Sequence, residues 1–414
     1  MTSLQPVRGT RDLLPGEFSR HKMLYEIANK VALMYGFQEI DTPIFEFADV
    51  FKRTLGDASD IVTKEMYTFL DKNGDSVTLR PEYTAGIVRM IISNGLCRKL
   101  PVKLFGFGPM FRYERPQKGR QRQFHQVNLE TLGVDDPMAD VELMALGHHF
   151  LTELGVIELV KLQVNTLGDV QSRRNYRKKL IEYFTAHKSD LSEESVLRLS
   201  KNPLRILDSK SKLDQVLIES APMFEHSLNN ESKDFFAMVR EGLSELNIPF
   251  EINQRLVRGM DYYCHSAFEF VTSSLGAQGA VLAGGRYDGL SEMMGGPKVP
   301  GVGWAGGVER LVMLSNVKPE VVAPIAIIPI GENPKKMAYK LTNDLRRKSF
   351  VVDFSFSGNL KKRLSRANNL KAKVALLIGD DELANESVTM RDMETGEQKE
   401  VPLNGLEESL ARFN

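Results

Sequence analysis

Five cations, Arg112, Arg115, Lys118, Arg120 and Arg122, share eleven residues with one carboxylate, Glu114. Like charges at that density repel one another unless a polyanion offsets them. A planar guanidinium meets phosphate oxygens two at a time, so phosphate is the natural counter-ion; a solvated face is the plainer alternative. The surrounding residues, 111 to 130, read as two strands joined by a loop that Pro116 and Gly119 turn. Alternation sets Arg112 and Glu114 on one face of the first strand, opposite Phe111 and Tyr113. On the second strand it groups Phe124, Gln126, Asn128 and Glu130, opposite Val127, Leu129 and Thr131.

Four other stretches carry polar groups that need a purpose. Arg80-Pro81-Glu82-Tyr83-Thr84 precedes a helix over 85–94, where Glu82 or Thr84 could cap the helix or accept from an ammonium group. Arg258, Gly259 and Asp261 interrupt a buried-strand run between Phe250 and Val271, which is costly unless the polar groups find partners. Gly284 to Gly289 reads as a turn where backbone approaches a ligand or another strand, with Tyr287 beside it. Gly301 to Gly306 spells G-x-G-x-x-G, but residues 293–300 before it form no strand and no βαβ unit surrounds it. A dinucleotide fingerprint is therefore excluded, and the Walker lysine is absent.

The elements that must carry these groups are legible from period. Leu24, Ile27, Ala28, Val31 and Met34 recur at helical spacing over 17–35, and Gly36 ends that helix before a strand at 37–40. A hairpin over 67–79 turns at Asp71 to Gly74, a helix covers 139–154, and a strand covers 160–165. Residues 170–245 turn helical and strongly charged, the mark of an inserted helical lobe. From 323 to 414 strands and helices alternate and a hairpin closes the chain, which predicts a compact α/β domain. Six basic residues and no acidic one lie between Lys361 and Lys373; a solvated helix face is the ordinary use of such a run.

The wording FRYERPQKGRQRQFHQ resembles motif 2 of the class II aminoacyl-tRNA synthetases, and in detail the histidyl-tRNA synthetase family. RGTRDLLP at 8–15, Arg-Pro-Glu-x-Thr at 80–84, Arg-Gly-Met-Asp-Tyr-Tyr at 258–263 and the glycine-lined run from Gly303 to Leu311 are similar to that family too. The resemblance implies an α+β fold: an antiparallel-sheet catalytic domain over 1–322, a helical insertion at 170–245 over the acceptor stem, and a C-terminal anticodon-binding domain over 323–414. It implies ATP binding by Arg112 and Arg258 at the α-phosphate, Glu114 and Phe124 at adenine, Arg310 at the γ-phosphate, and Arg120 with them. It implies histidine binding by Glu82, Thr84, Gln126, Glu130, Arg258, Tyr262, Tyr263 and Tyr287, with Arg115 and Gln117 meeting the tRNA acceptor end. Arg112 and Arg258 would be the catalytic pair. Pro43 matches a motif that packs across a homodimer interface in the class. Asn202 to Lys210 resembles an insertion signature. Tyr83 and Trp304 depart from the smaller residues expected at their positions.

The partners implied are tRNA(His), L-histidine and ATP with Mg²⁺, for which no protein-held metal site is evident. With 54 basic and 54 acidic residues, nucleic-acid binding must come from local patches rather than global charge. No apolar run approaches the ~20 residues that span a bilayer. The first residues carry neither a signal-peptide core nor a transit helix, and two cysteines make no framework. A cytoplasmic setting is the expectation. The rival reading is a catalytically silent relative, the regulatory subunit of ATP phosphoribosyltransferase. Retention of Arg112, Arg258, Arg310 and the terminal domain argues against it.

Overall fold

The computed structural model describes residues 4–413 apart from 57, 58, 259, 261, 277, 278, 321 and 412; Gly259 and Asp261 of the 258–263 motif thus lie outside the described residues. The chain forms two compact units, Met1–Pro319 and Glu320–Asn414.

The first unit contributes β1 (Gln38–Ile40), β2 (Phe45–Phe47), β3 (Thr68–Leu70), β4 (Ser76–Leu79), β5 (Val102–Phe111), β6 (Gln123–Leu132), β7 (Lys161–Thr166), β8 (Phe250–Ile252), β9 (Cys264–Val271), β10 (Ala280–Arg286) and β11 (Gly301–Gly307). Eight of them make one sheet in the order β1-β5-β6-β11-β10-β9-β7-β8. Its interior pairings are antiparallel; only the edge pairs, β1 with β5 and β7 with β8, run parallel. With helices packed against this mainly antiparallel sheet, the unit is α+β.

One sheet face packs the first helix, Pro15–Met34, and the helix Met138–Glu153 through Leu24, Val31, Phe105, Leu129, Phe150 and Trp304. The period-2 alternation of β6 explains the division: Val127 and Leu129 enter this core, while Gln126, Asn128 and Glu130 point to the other side. A second core on that other side gathers Tyr83, Ile87, Tyr262, Tyr263 and Tyr287. The stretch 170–245 is helical, and its own small core runs from Tyr176 to Phe224. Val239 and Leu243, from the helix Asn230–Glu245, pack instead into the main core.

Three local expectations are corrected. The strand before the cationic loop ends at Phe111, so Arg112 and Glu114 lie beyond it. The N–H of Arg112 still donates to Arg122 O at 2.9 Å, but that of Tyr113 goes to Glu65 O at 2.7 Å, which pulls the chain off the ladder. Gly284, Gly285 and Arg286 are strand residues rather than a turn. Their glycines are needed because a Cβ on Gly284 would strike the backbone of Gly303 on β11. Residues 253–258, 260, 262 and 263 are not strand: after Ile252 the chain turns, with Leu256 N–H closing on Asn253 O.

The second unit orders β12 (Ile325–Pro329), β13 (Val352–Phe354), β14 (Val374–Ile378), β15 (Ser387–Asp392) and β16 (Gln398–Pro402) as β13-β12-β14-β15-β16. The first three are parallel, and a C-terminal antiparallel hairpin extends them. Apolar residues such as Ile325, Ile327, Leu376 and Val388 form its core. Among the described residues no helix is long and apolar enough to cross a membrane.

Candidate active site

A cleft of about 580 Å³ opens in the first unit, lined by Glu82, Thr84, Arg112, Glu114, Arg120, Phe124, Gln126, Arg258, Tyr263 and Arg310. Residues from four separate stretches of chain therefore meet at one place. Glu130, Tyr262 and Tyr287 are buried directly behind it. Arg115 and Gln117 sit apart, exposed on the loop, where Gln117 and Arg120 exchange backbone hydrogen bonds.

The cationic group is preassembled. Arg112 Nε donates to Pro81 O at 2.9 Å and its guanidinium lies 5.3 Å from the centre of the Phe124 ring. Glu114 pairs with Arg120, and Arg310 reaches Gly119 O at 3.1 Å and Ala280 O at 2.8 Å. Burial, then the neighbouring Arg120, pushes the Arg310 guanidinium below its ordinary pKa. Arg258 pairs with Glu269 on β9, its guanidinium 5.4 Å from the Tyr263 ring. Four arginines thus converge on the cleft, Arg120 and Arg258 each beside a carboxylate, and their guanidinium groups suit the oxygens of a polyphosphate.

The other group centres on Glu130, only 1% exposed. One carboxylate oxygen accepts from Thr84 Oγ1 and Asn128 Nδ2, both at 2.6 Å, and the other accepts from the Tyr287 hydroxyl. Burial raises its pKa to about 7, against the opposing pull of those three hydrogen bonds. Tyr262, Tyr263 and Tyr287 form a ring cluster, with centroids 4.7 Å apart for the first two and 5.7 Å for Tyr262 and Tyr287. Gln126 Oε1 and Asn128 Oδ1 are buried without a partner, acceptors that await a donor. Gly303 has to be glycine here, because a Cβ would collide with the Glu130 carboxylate. The Glu82 carboxylate accepts the N–H groups of Thr84 at 2.7 Å and Ala85 at 2.9 Å, so it caps the helix Thr84–Ser93. Burial raises its pKa, against the pull of those N–H groups and of the nearby Arg112.

The residue-type reading missed three partners. Asn128 shares the alternation of Gln126 and Glu130, which was a usable signal. Glu269 is a lone carboxylate in the apolar run of β9, and a buried charge announces a partner. The third is the anchor under the cleft. Tyr83 donates to Asp41 at 2.9 Å, and Arg80 lies over its ring at 4.3 Å. Tyr83 fits because Gly106 and Gly108 on β5 leave room for it. Trp304, the other departure, is a core residue: its indole N–H donates to Leu143 O at 3.0 Å and its ring stacks with Phe150.

The histidyl-tRNA synthetase family profile matches residues 9–311, and an anticodon binding domain profile matches 324–412. The chain belongs to the histidyl-tRNA synthetase family. This is a family of aminoacyl-tRNA synthetases, and members match the synthetase from end to end. The chain is similar to a histidine–tRNA ligase of Rhodospirillum rubrum, 55% identical over the whole of both chains. It is similar to the crystal structure of apo histidyl-tRNA synthetase from Staphylococcus aureus, with TM-score 0.83 and 32% identity over 98% of this chain and 99% of that one. An ATP phosphoribosyltransferase regulatory subunit/histidyl-tRNA synthetase from Bacillus halodurans matches at TM-score 0.65 and 20% identity, covering 92% of this synthetase and 99% of that chain. That likeness is one of fold alone.

Proposed function

We propose that the cleft joins histidine to tRNA(His) in two steps, with ATP as the activating substrate. A carboxylate oxygen of histidine attacks the α-phosphorus of ATP, the bond to the β-phosphate breaks, and pyrophosphate leaves. The terminal adenosine hydroxyl of the tRNA then attacks the acyl carbon of histidyl-adenylate and AMP departs. The observation that carries this reading is the meeting of arginines with the buried Glu130–Tyr287–Thr84 group in one cleft.

In this reading Arg112 and Arg258 are the catalytic pair. Both are held before any substrate arrives, so their charge meets the α-phosphoryl oxygens without reorganisation. Phe124 and Glu114 take adenine, and Arg120 and Arg310 the distal phosphates. Glu130 accepts from one imidazole nitrogen, with Tyr262, Tyr263 and Tyr287 around the ring and Gln126 beside it. Glu82 and Thr84 receive the substrate's ammonium, for which a carboxylate and a hydroxyl are suitable acceptors. Removing a substrate nitrogen leaves such polar groups unpaired, which can cost ~10⁴-fold in discrimination. Mg²⁺ would arrive on ATP as part of the substrate. Of the carboxylates at the cleft, Glu82, Glu114, Glu130 and Glu269 are each engaged by an arginine, hydroxyl or N–H, while Asp60, Glu65 and Glu309 line it as well.

Arg115 and Gln117 meet the acceptor end, the helical lobe within 170–245 faces the acceptor stem, and the unit 323–414 reads the anticodon. Supporting the last, Lys361, Lys362 and Lys371 are exposed, whereas Arg366 is taken by Asp353. A homodimer accounts for the apolar row Phe47–Val77–Phe69 across β2, β4 and β3, flanked by exposed Phe45 and Leu70. Two free thiols, Cys97 and Cys264, fit a reducing, cytoplasmic setting. The test is amino-acid-dependent ATP–pyrophosphate exchange across the twenty amino acids. Exchange with histidine alone is expected. Exchange with a different amino acid would overturn the specificity, and none at all would favour the regulatory, binding-only reading.

A further inference from the structure

His21 is 4% exposed, and neither of its ring nitrogens has a hydrogen-bond partner. A buried polar group left in that state carries an uncompensated desolvation cost. Its ring stands edge-on to His125, centroids 5.3 Å apart. His125 Nδ1 in turn lies 2.9 Å from a carboxylate oxygen of Glu309. One donor atom from each of His21, His125 and Glu309 falls within 4.8 Å of the others.

We propose that His21, His125 and Glu309 form a site for a divalent transition-metal ion of the zinc class. Two imidazoles and one carboxylate suit such ions, whereas Mg²⁺ and Ca²⁺ take oxygen donors. The ion supplies what His21 lacks, a partner for a ring nitrogen inside the protein. Bonds of about 2.0–2.1 Å require donors about 3.3 Å apart in a tetrahedral site, so the three groups must draw together by up to roughly 1.5 Å. Side-chain rotation provides that movement, and the contact between His125 and Glu309 is given up or shared. Of the charged groups acting on His21, Arg11 opposes a cation and Glu17 favours one.

The three donors come from separate elements: the helix Pro15–Met34, β6, and the helix Val308–Leu314 that follows β11. An ion there pins the first helix to the strand whose neighbouring residues, Phe124 and Gln126, line the cleft. Glu309 also lines the cleft, so the site adjoins it; its two nitrogen donors set it apart from the oxygen-bound Mg²⁺ that travels with ATP.

The test uses the full chain, stripped with a chelator and titrated with Zn²⁺ by calorimetry. One ion per chain is expected, with affinity falling at least about tenfold in His21→Phe, which keeps a ring in the space, and in Glu309→Gln. Equal binding by wild type and His21→Phe would overturn the proposal, as would no binding by wild type. Should His21→Phe fail to fold, X-ray absorption on Zn²⁺-loaded wild-type protein decides. Two imidazole scatterers and no sulfur support the site, and sulfur ligation, pointing to Cys97 or Cys264, defeats it.

Discussion

At the scale of single residues, charge and burial divide the labour of the cleft. Arg258 is fixed by Glu269 and by the Tyr263 ring, away from the Glu130 carboxylate. Arg258→Ala should therefore abolish pyrophosphate exchange while histidine binding, followed by calorimetry, stays measurable; retained exchange would remove Arg258 from the chemical step. Glu130 makes a different prediction. Its folded pKa, about 7, lies above the ordinary 4.5 because of burial. The protonated form is thus favoured by folding, and that stability is complete below about pH 4.5 and lost as pH rises through about 7. The upper bound is about 3 kcal/mol. Thermal melts of wild type should fall from pH 5 to 8 more steeply than those of Glu130→Gln, and added histidine should restore wild type at pH 8. Identical pH slopes in the two proteins would refute the assignment.

At the scale of elements, the sheet must hold these groups in place against its own twist. Arg286 and Asp140 form a fully buried pair joining the end of β10 to the helix Met138–Glu153. Arg286 also donates to Val134 O at 2.8 Å and pairs with Asp288 at 3.1 Å. Breaking such a pair leaves a bare buried charge. Arg286→Met is expected to destabilise the protein by about 3–5 kcal/mol in denaturant unfolding, and the added change Asp140→Asn should recover part of it. If the double variant is no better than the single one, the loss comes from packing and not from the orphaned carboxylate. Tyr83 and Trp304 work at this scale too. Each replaces a smaller residue with a ring that has both a prepared space and a hydrogen-bond partner.

At the scale of the molecule, the exposed rings of Phe47 and Phe69, on either side of the buried Val77 in the three-stranded sheet, call for a covering. Phe45 and Phe47 are more than half exposed, and Leu70 is 70% exposed. Charged substitution of two of them, Phe47→Glu with Phe69→Glu, is expected to shift the protein from dimer to monomer in sedimentation velocity without loss of secondary structure. A wild-type protein that sediments as a monomer at all concentrations would refute the homodimer.

The sequence alone determined most of the elements and the chemical class of the site. Helical and strand periods are local, so they survive without tertiary information, and an Arg-rich loop beside Phe124, Gln126 and Glu130 announces a polyanion and a polar ligand. What only the tertiary structure decided is which groups touch. Tyr287 and Thr84 meet Glu130 across 157 and 46 positions respectively, and Arg258 meets Glu269 across a loop. The departure of Arg112 from its strand likewise depends on Glu65, and the capping by Glu82 on where its helix begins. Such contacts depend on sheet register and burial, which no local pattern encodes, and burial is also what moves the Glu130 proton to neutral pH.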